Sequence, residues 1–229
     1  PRSVTEGLEV PGSMLVPNRL LFRFEFPLHY RPSPKIDGDL SDWSDQYLLP
    51  DVSSLDGQPS FARIWMGWNE SGLFLACRVE GRKGPFRCDP RQFWKGDNLR
   101  LCTDMRDTRD NKRATRYCQQ FYFLPAGGGA QGQSPVAGAA RVPRATENAP
   151  AVDNRLIQVA GKRTAHEYTL EGYVPAEALA GFDPIEHRRI GLYTMLEDLE
   201  LGQQYLTVGD DLNWHIDPST WATAVLTRD

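Results

Sequence analysis

Apolar and polar residues alternate with a period of two along most of this sequence. Residues 22–26, for example, read Phe-Arg-Phe-Glu-Phe. Successive side chains of a β-strand point to opposite faces of its sheet, so this pattern predicts a strand with one buried side. We expect Phe22, Phe24 and Phe26 to share the buried side and the two charged residues to face solvent.

Similar alternating runs recur through the rest of the chain, separated by short turns rich in Gly, Asn and Asp. They are Phe61–Trp68, Leu73–Glu80, Asn98–Asp104, Tyr117–Leu124, His166–Val174, Ile190–Leu196, Gln203–Val208 and Ala222–Thr227. Nine or so short strands with polar turns indicate an all-β fold, an antiparallel β-sandwich of the jelly-roll or immunoglobulin-like two-sheet type. In the second run we expect Leu73, Leu75, Cys77 and Val79 to face the interior. At residues 175–180 we expect one or two helical turns.

The length and composition favour one folded domain over residues 1–229. A chain of this length, with 40% hydrophobic and 24% charged residues, buries enough apolar surface to fold without disulfide or metal staples. Cys77, Cys102 and Cys118 lie in predicted strands, where a thiol usually packs as a small apolar group, and a disulfide to Cys88 stays open. The sequence has no apolar run long enough to span a membrane. A net charge of −4 disfavours a nucleic-acid partner.

One segment departs from the alternating pattern. Of the 28 residues from 125 to 152, seventeen are Gly, Ala or Pro, and none is aromatic. Such a composition offers little apolar surface to offset the entropy that is lost on ordering. We therefore expect residues 125–152 to form a long, flexible hairpin insertion that contributes nothing to the core. A role as a lid stays open.

The familiar signatures of catalysis are missing from the sequence. It contains no GxSxG, Walker or HExxH motif, and no GxGxxG after a predicted strand. The four histidines are scattered, and no two of the many carboxylates stand out as a glycosidase pair. We therefore expect a protein that binds a ligand and is not itself an enzyme.

The six tryptophans suggest what kind of ligand this is. We assign Trp43, Trp65 and Trp221 to the core. Trp94 and Trp214 each lie among polar residues at a strand end, where an indole would stay partly exposed. The apolar C–H face of a sugar ring stacks on such an indole, while polar neighbours bind its hydroxyls. Two partly buried edge tryptophans would fit the composition nearly as well.

Five sequence blocks resemble, in the same order, those of family 9 carbohydrate-binding modules and their relatives. The blocks are Lys35–Trp43, Ala62–Leu75, Trp94–Leu101, Glu171–Leu179 and Asn213–Trp221. The third reads Trp-Lys-Gly-Asp-Asn-Leu-Arg-Leu, against a family pattern of Trp-x-Gly-Asp-x-hydrophobic-Glu-hydrophobic. Each block is weak alone, but their shared order is specific for the fold. The resemblance implies a β-sandwich that binds polysaccharides or oligosaccharides and catalyses no reaction.

The resemblance also implies site residues. In sugar-binding members of that family two tryptophans clamp the terminal sugar, and Trp94 and Trp214 occupy matching positions here. Arg100 stands in place of the family's Glu, which reverses the charge of the strand and points to an anionic or sulfated glycan. Arg100 and Gln120 are the polar residues that we expect to select the sugar. An extracellular or periplasmic location is expected too, with no signal peptide in this chain.

Three alternatives stay open at the level of sequence. Some relatives carry structural calcium, and Asp37, Asp39 and Asp42 form a compact carboxylate group, although Asx-turns would explain them as well. Related sandwich domains of oxidoreductases bind haem b through a Met and a His or Lys. The candidates for such a pair are Met66, Met105, Met195, His166 and His187. A structural or assembly domain with a vestigial site is the third alternative.

Overall fold

The computed structural model describes the chain apart from residues 1, 11–13, 23, 53–58, 210–211 and 229, and for residues 2–10 and 14–22 the description covers the backbone. Its strands are β1 (Arg2–Val10), β2 (Met14–Phe22), β3 (Glu25–His29), β4 (Ala62–Asn69), β5 (Gly72–Glu80), β6 (Asn98–Asp104), β7 (Cys118–Gly128), β8 (Ser134–Ala140), β9 (Gln158–Arg163), β10 (Glu167–Pro175), β11 (Arg189–Asp198), β12 (Gly202–Tyr205) and β13 (Ala222–Thr227). Short 3-10 helices lie at Leu40–Asp42, Asp45–Tyr47, Pro90–Lys95, Asn154–Leu156, Ala176–Ala178 and Pro218–Thr220. Within the described residues, no helix has the length and apolar character needed to cross a membrane.

Two large sheets account for most of these strands. A four-stranded sheet has the order β4-β5-β10-β9. A seven-stranded sheet has the order β3-β13-β11-β6-β7-β8, with β12 paired to β11. Their strand pairs are antiparallel except for β3 with β13, and β1 and β2 form a separate two-stranded sheet. This arrangement confirms the predicted β-sandwich.

The core lies between the inner faces of the two large sheets. On β5, the side chains of Leu73, Leu75, Cys77 and Val79 are fully buried, as the alternating pattern predicts. Apolar residues of β6, β7 and β11 pack against them from the larger sheet. Each fully buried Leu or Phe contributes roughly 1.5–3 kcal/mol, so the inner faces are the main source of stability.

The first predicted strand is divided in the structure. β2 ends at Phe22 and β3 begins at Glu25, so the alternating run belongs to two strands. Phe26 is buried in the core and contacts the partly buried ring of Phe24. The side chain of Phe22 lies outside the described residues. β3 then pairs in parallel with β13, near the other end of the chain, which a local pattern does not encode.

Two parts of the segment 125–152 belong to the larger sheet, unlike the insertion expected from its composition. β7 extends into this segment, and β8 folds back onto β7 as an edge strand of the larger sheet. Ala126 and Val142 are buried, so the expectation that the segment contributes nothing to packing is wrong. Small residues are required here, because a Cβ atom at Gly138 would lie 2.6 Å from Cζ of Tyr122. The glycines and alanines allow the backbone to approach an aromatic ring closely.

Most other local expectations agree with the structure. Trp43, Trp65 and Trp221 are buried, as assigned. The helical turn after β10 is present but covers only three residues, and the strand predicted at 203–208 ends at Tyr205. The alternating pattern misses β8 and β9, because these strands are rich in small or polar residues.

The four cysteines are free thiols. Cys77, Cys102 and Cys118 are buried, in agreement with their prediction as small apolar core residues. Burial raises the pKa of Cys77 to about 12 and that of Cys118 to about 11. Cys88 is half-buried, and burial raises its pKa to about 11 as well. Thiols with such pKa values stay protonated and unreactive near neutral pH.

Candidate functional site

The candidate site lies on the outer face of the larger sheet, away from the core. The inward positions of β6 and β7 are occupied by apolar residues, so Arg100 and Gln120 point to the outer face. A cavity of about 730 Å³ opens there. Its lining includes Phe93, Trp94, Arg100, Gln120, Arg141, Glu197 and His215. Three of the four residues predicted to bind the ligand therefore line one cavity, and Trp214 does not.

Arg100 is held in a fixed position in the cavity wall. Its Nε donates to Asn98 Oδ1 at 2.8 Å, and its Nη2 donates to Glu197 Oε2 at 3.0 Å. Its guanidinium carbon lies 4.9 Å from the centre of the Trp214 ring. The Nη1 group has no hydrogen-bond partner among the described residues. Arg100 can thus present one fixed donor to a ligand while its charge is balanced by Glu197.

Trp214 lies behind Arg100 instead of lining the cavity. It is 1% exposed, and its ring stacks on that of Tyr193 at 4.7 Å with an interplanar angle of 18°. Tyr193 is an outward-facing residue of β11, and its hydroxyl donates to the carbonyl of Val208 at 2.7 Å. The expectation of a partly exposed Trp214 therefore differs from the structure. Trp214 supports Arg100, and its contact with a sugar stays a prediction.

Trp94 is the aromatic residue that the cavity exposes. It is 48% exposed and lies on the short helix Pro90–Lys95. Phe93 contacts its ring edge-to-face at 5.3 Å and stacks on Tyr122 at 4.4 Å. Tyr122 in turn packs against Gly138 of β8. A chain of aromatic contacts therefore fixes the exposed indole to the outer face of the sheet.

Gln120 supplies an unpaired amide to the same cavity. It is 4% exposed, yet its side chain has no hydrogen-bond partner within the described part of the chain. The neighbouring Gln119 faces the other side of β7, where it donates to the carbonyl of Ala178 at 2.8 Å and accepts from Ala180 N–H at 2.6 Å. Its amide atoms keep some contact with solvent, so the group opens into the cavity. Gln120 is therefore available to bind a polar ligand in the cavity.

Comparison with solved structures identifies this fold. Two structures of a family 9 carbohydrate-binding module from Caldicellulosiruptor kristjanssonii match the chain with TM-scores of 0.63 and 0.62, at 13% sequence identity. The first is in complex with cellotriose and the second with glucose. Each match covers 90% of this chain, and 95% or 97% of the other. The chain has the fold of a family 9 carbohydrate-binding module.

A third match supports the family 9 fold. A candidate carbohydrate-binding protein from Bacteroides uniformis matches with a TM-score of 0.51 and 12% identity, over 90% of this chain and 99% of that one. No family sequence profile and no curated protein matches the chain. The resemblance carried by the five sequence blocks is thus confirmed at the level of the fold.

Within this family 9 fold, the Trp-Lys-Gly-Asp stretch anchors the loop that carries Trp94. Asp97 is fully buried and accepts two hydrogen bonds from the guanidinium of Arg82, both at 2.9 Å, and one from Arg87 N–H at 2.7 Å. Asp198 pairs with the same guanidinium at 2.6 Å. The motif is visible in the sequence, whereas its partners at the ends of β5 and β11 become adjacent only on folding.

Two charged lining residues, Glu197 and Arg141, were not predicted from the sequence. Glu197 faces outward on β11, on the same side as Tyr193. The alternation of β11 could have placed it on the outer face, but only once the sheet order was known. Arg141 directly follows β8, in the segment that was expected to be a flexible insertion. Because the composition of this segment predicted a flexible insertion, the sequence did not indicate that the segment lines one side of the cavity.

The aspartates considered for calcium in this family 9 fold have other partners, and the methionines considered for haem are buried. Asp37 and Asp39 form ion pairs with Lys35 and Lys162 at 2.8 and 3.0 Å. Asp37 Oδ1 also accepts from Asp39 N–H at 2.9 Å, which is Asx-turn geometry. Where the structure describes the chain, no three or more His, Cys, Asp or Glu side chains are grouped to hold a metal ion. The three methionines considered for haem are buried in the core, and His166 is exposed.

Proposed function

We propose that this protein binds a glycan without catalysis and that a terminal or anionic sugar unit occupies the cavity on the outer face of the larger sheet. One juxtaposition carries the proposal. The half-exposed indole of Trp94 and the unpaired amide of Gln120, which opens into the cavity, line the same space. The indole offers an apolar face and the amide offers a donor and an acceptor, so a ligand that is apolar on one face and polar at its edge matches both.

A pyranose ring has this combination of surfaces. Its C–H groups pack on the indole, and its hydroxyls both donate and accept hydrogen bonds. The amide of Gln120 can do both in return, and Nη1 of Arg100 can donate. The cavity volume of about 730 Å³ is typical of small-molecule sites. The solved complexes of the same fold, with cellotriose and with glucose, support a saccharide as the ligand.

The charged groups of the cavity favour binding over hydrolysis. Glycosidases use two carboxyl groups, placed about 5–9.5 Å apart on either side of the scissile bond. Among the described lining residues Glu197 is the single carboxylate, and it is ion-paired with Arg100 at 3.0 Å. The described lining can hold a sugar but offers no pair of carboxyl groups to cleave a glycosidic bond.

The proposal includes a setting for this activity. Polysaccharides and their fragments are found mainly outside the cytoplasm, so we place the protein outside the cell or in the periplasm. There it would hold glycan substrates close to a carbohydrate-processing enzyme, either fused to it or associated with it.

A glycan array tests the function directly. The parent protein should be retained by at least one neutral or acidic glycan, both with and without calcium. Trp94→Ala should lose about thirtyfold in affinity for that glycan, the usual cost of removing an aromatic anchor. Ile185→Ala is the matched control, because Ile185 is also an exposed apolar residue and lies outside the cavity lining. If the parent is retained by no glycan, the proposed function is wrong.

A further inference from the structure

The charges of the described residues around the cavity are not balanced. Arg100 and Glu197 form an ion pair in which the two side chains are 9% and 16% exposed. Arg141 lines the same cavity, is exposed, and has no ion-pair or hydrogen-bond partner in the described chain. His215 is the other titratable residue of the lining. Among the described residues, the cavity therefore has one permanent positive charge without a counter-charge.

We infer that the cavity takes acidic glycans and that the guanidinium of Arg141 binds their carboxylate or sulfate group. The inference rests on the proposed glycan-binding function and deepens it by naming the ligand class and the residue that selects it. A guanidinium binds such groups through two parallel N–H···O hydrogen bonds, with geometry that a neutral hydroxyl does not match. Because Arg141 is exposed, its attraction for an anion should be strongest at low ionic strength.

The position of Arg141 suits this role. It directly follows Ala140, the last residue of β8, and Ala140 is the cross-strand partner of Gln120. The unpaired cation therefore lies one residue beyond the cross-strand partner of the unpaired amide, and both groups line the cavity. A sugar whose hydroxyls bind Gln120 would have an anionic substituent within reach of Arg141.

Arg100 suits the role of anion receptor less well, although the sequence pointed to it first. Glu197 balances its charge, and Asn98 and Glu197 together fix its orientation. Bringing a second anion to this buried pair would place two negative charges around one guanidinium. We therefore assign Arg100 to the hydroxyl groups of the sugar and Arg141 to its anionic group.

Matched sugar pairs on the intact chain test this assignment. Glucose with glucuronic acid, galactose with galacturonic acid, and N-acetylgalactosamine with its sulfated form each differ by one anionic group and can be immobilised through the same linker. Affinities of the parent, Arg141→Gln and Arg141→Lys are measured at low and high salt. Arg144→Gln is the matched control, since it removes the same charge from an exposed residue outside the cavity lining.

We expect the parent to prefer the acidic member of at least one pair by about tenfold at low salt, with a smaller preference at high salt. Arg141→Gln should bring the ratio close to one, Arg141→Lys should keep part of it, and Arg144→Gln should match the parent. An unchanged ratio in Arg141→Gln, or a parent without preference for the acidic members, overturns the inference and leaves glycan binding intact. A parent that binds none of these sugars and no glycan of the wider array refutes the proposed function, and with it the inference.

Discussion

Two adjacent glutamines on β7 allow binding and folding to be separated by experiment. Gln120 faces the cavity with an unpaired amide, whereas Gln119 faces the opposite side and makes hydrogen bonds of 2.8 and 2.6 Å to the backbone of Ala178 and Ala180. Replacing either residue with Leu removes the amide and keeps an apolar side chain of similar reach. We predict that Gln119→Leu lowers the stability of the protein and that Gln120→Leu does not.

Gln120→Leu removes an amide that has no protein partner and that keeps some contact with solvent in the cavity. Such a group costs about 1–3 kcal/mol when nothing satisfies it, and water in the open cavity reduces that cost. We therefore expect the variant to be between equally stable and about 1 kcal/mol more stable than the parent, a gain of at most roughly 2–4 °C in Tm. Its glycan affinity should fall about tenfold or more, because the amide that binds a sugar hydroxyl is lost.

Gln119→Leu leaves the Ala178 carbonyl and the Ala180 N–H unpaired. We expect a loss of about 2–3 kcal/mol, or roughly 4–12 °C in Tm for a domain of this size, with glycan affinity close to that of the parent. Calorimetric melting and isothermal titration of both variants give the two quantities. If Gln120→Leu melts well below the parent, or binds as tightly as the parent, Gln120 is a structural residue and this reasoning is refuted.

Three further predictions concern packing, pH and the thiols. Gly138→Ala should force the Tyr122 ring away and displace the aromatic stack under the exposed indole of Trp94. Glycan affinity should fall, and stability should fall by about 1–3 kcal/mol. A variant that melts and binds like the parent would contradict this prediction. Burial raises the pKa of Glu171 above its ordinary 4.5, so the stability it contributes is present below that pH and is lost as pH rises through the raised pKa. Thermal melts of the parent and of Glu171→Gln, at pH values below and above 4.5, should show that Tm depends less on pH in the variant. Parallel curves of Tm against pH would contradict this prediction. A thiol reagent should find one slowly reacting group, Cys88, in the folded protein and four thiols after unfolding without reductant; fewer than four would reveal a disulfide.

The inner faces of the sandwich could be predicted from the sequence because alternation is a local property. The bounds of β6 and β13 agree with the predicted runs residue for residue. The Trp-Lys-Gly-Asp stretch likewise placed Trp94 at a strand end, where the structure leaves it half exposed. These features depend on residues that are neighbours in the chain, so the pattern alone carries them.

Features that depend on distant contacts could not be predicted in this way. The polar neighbours of Trp214 suggested exposure, but its ring is buried because the loop after β12 folds back onto Tyr193. Gly138 was interpreted as part of a flexible insertion, although its missing side chain is what allows β8 to pack against an aromatic ring. For the same reason, the sequence did not indicate that Arg141 lines the cavity, although the inferred selectivity depends on this residue.

An NMR titration of the isotope-labelled protein with a glycan that it retains tests the position of the site most directly. We predict saturable shifts of the Trp94 indole N–H and of the Gln120 side-chain NH₂. A separate groove of about 440 Å³, lined in part by Phe86 and Arg163, serves as an internal control whose resonances should stay unchanged. Saturable shifts at Phe86 and Arg163, with Trp94 and Gln120 unaffected, would contradict the assignment of the glycan to the outer face of the larger sheet.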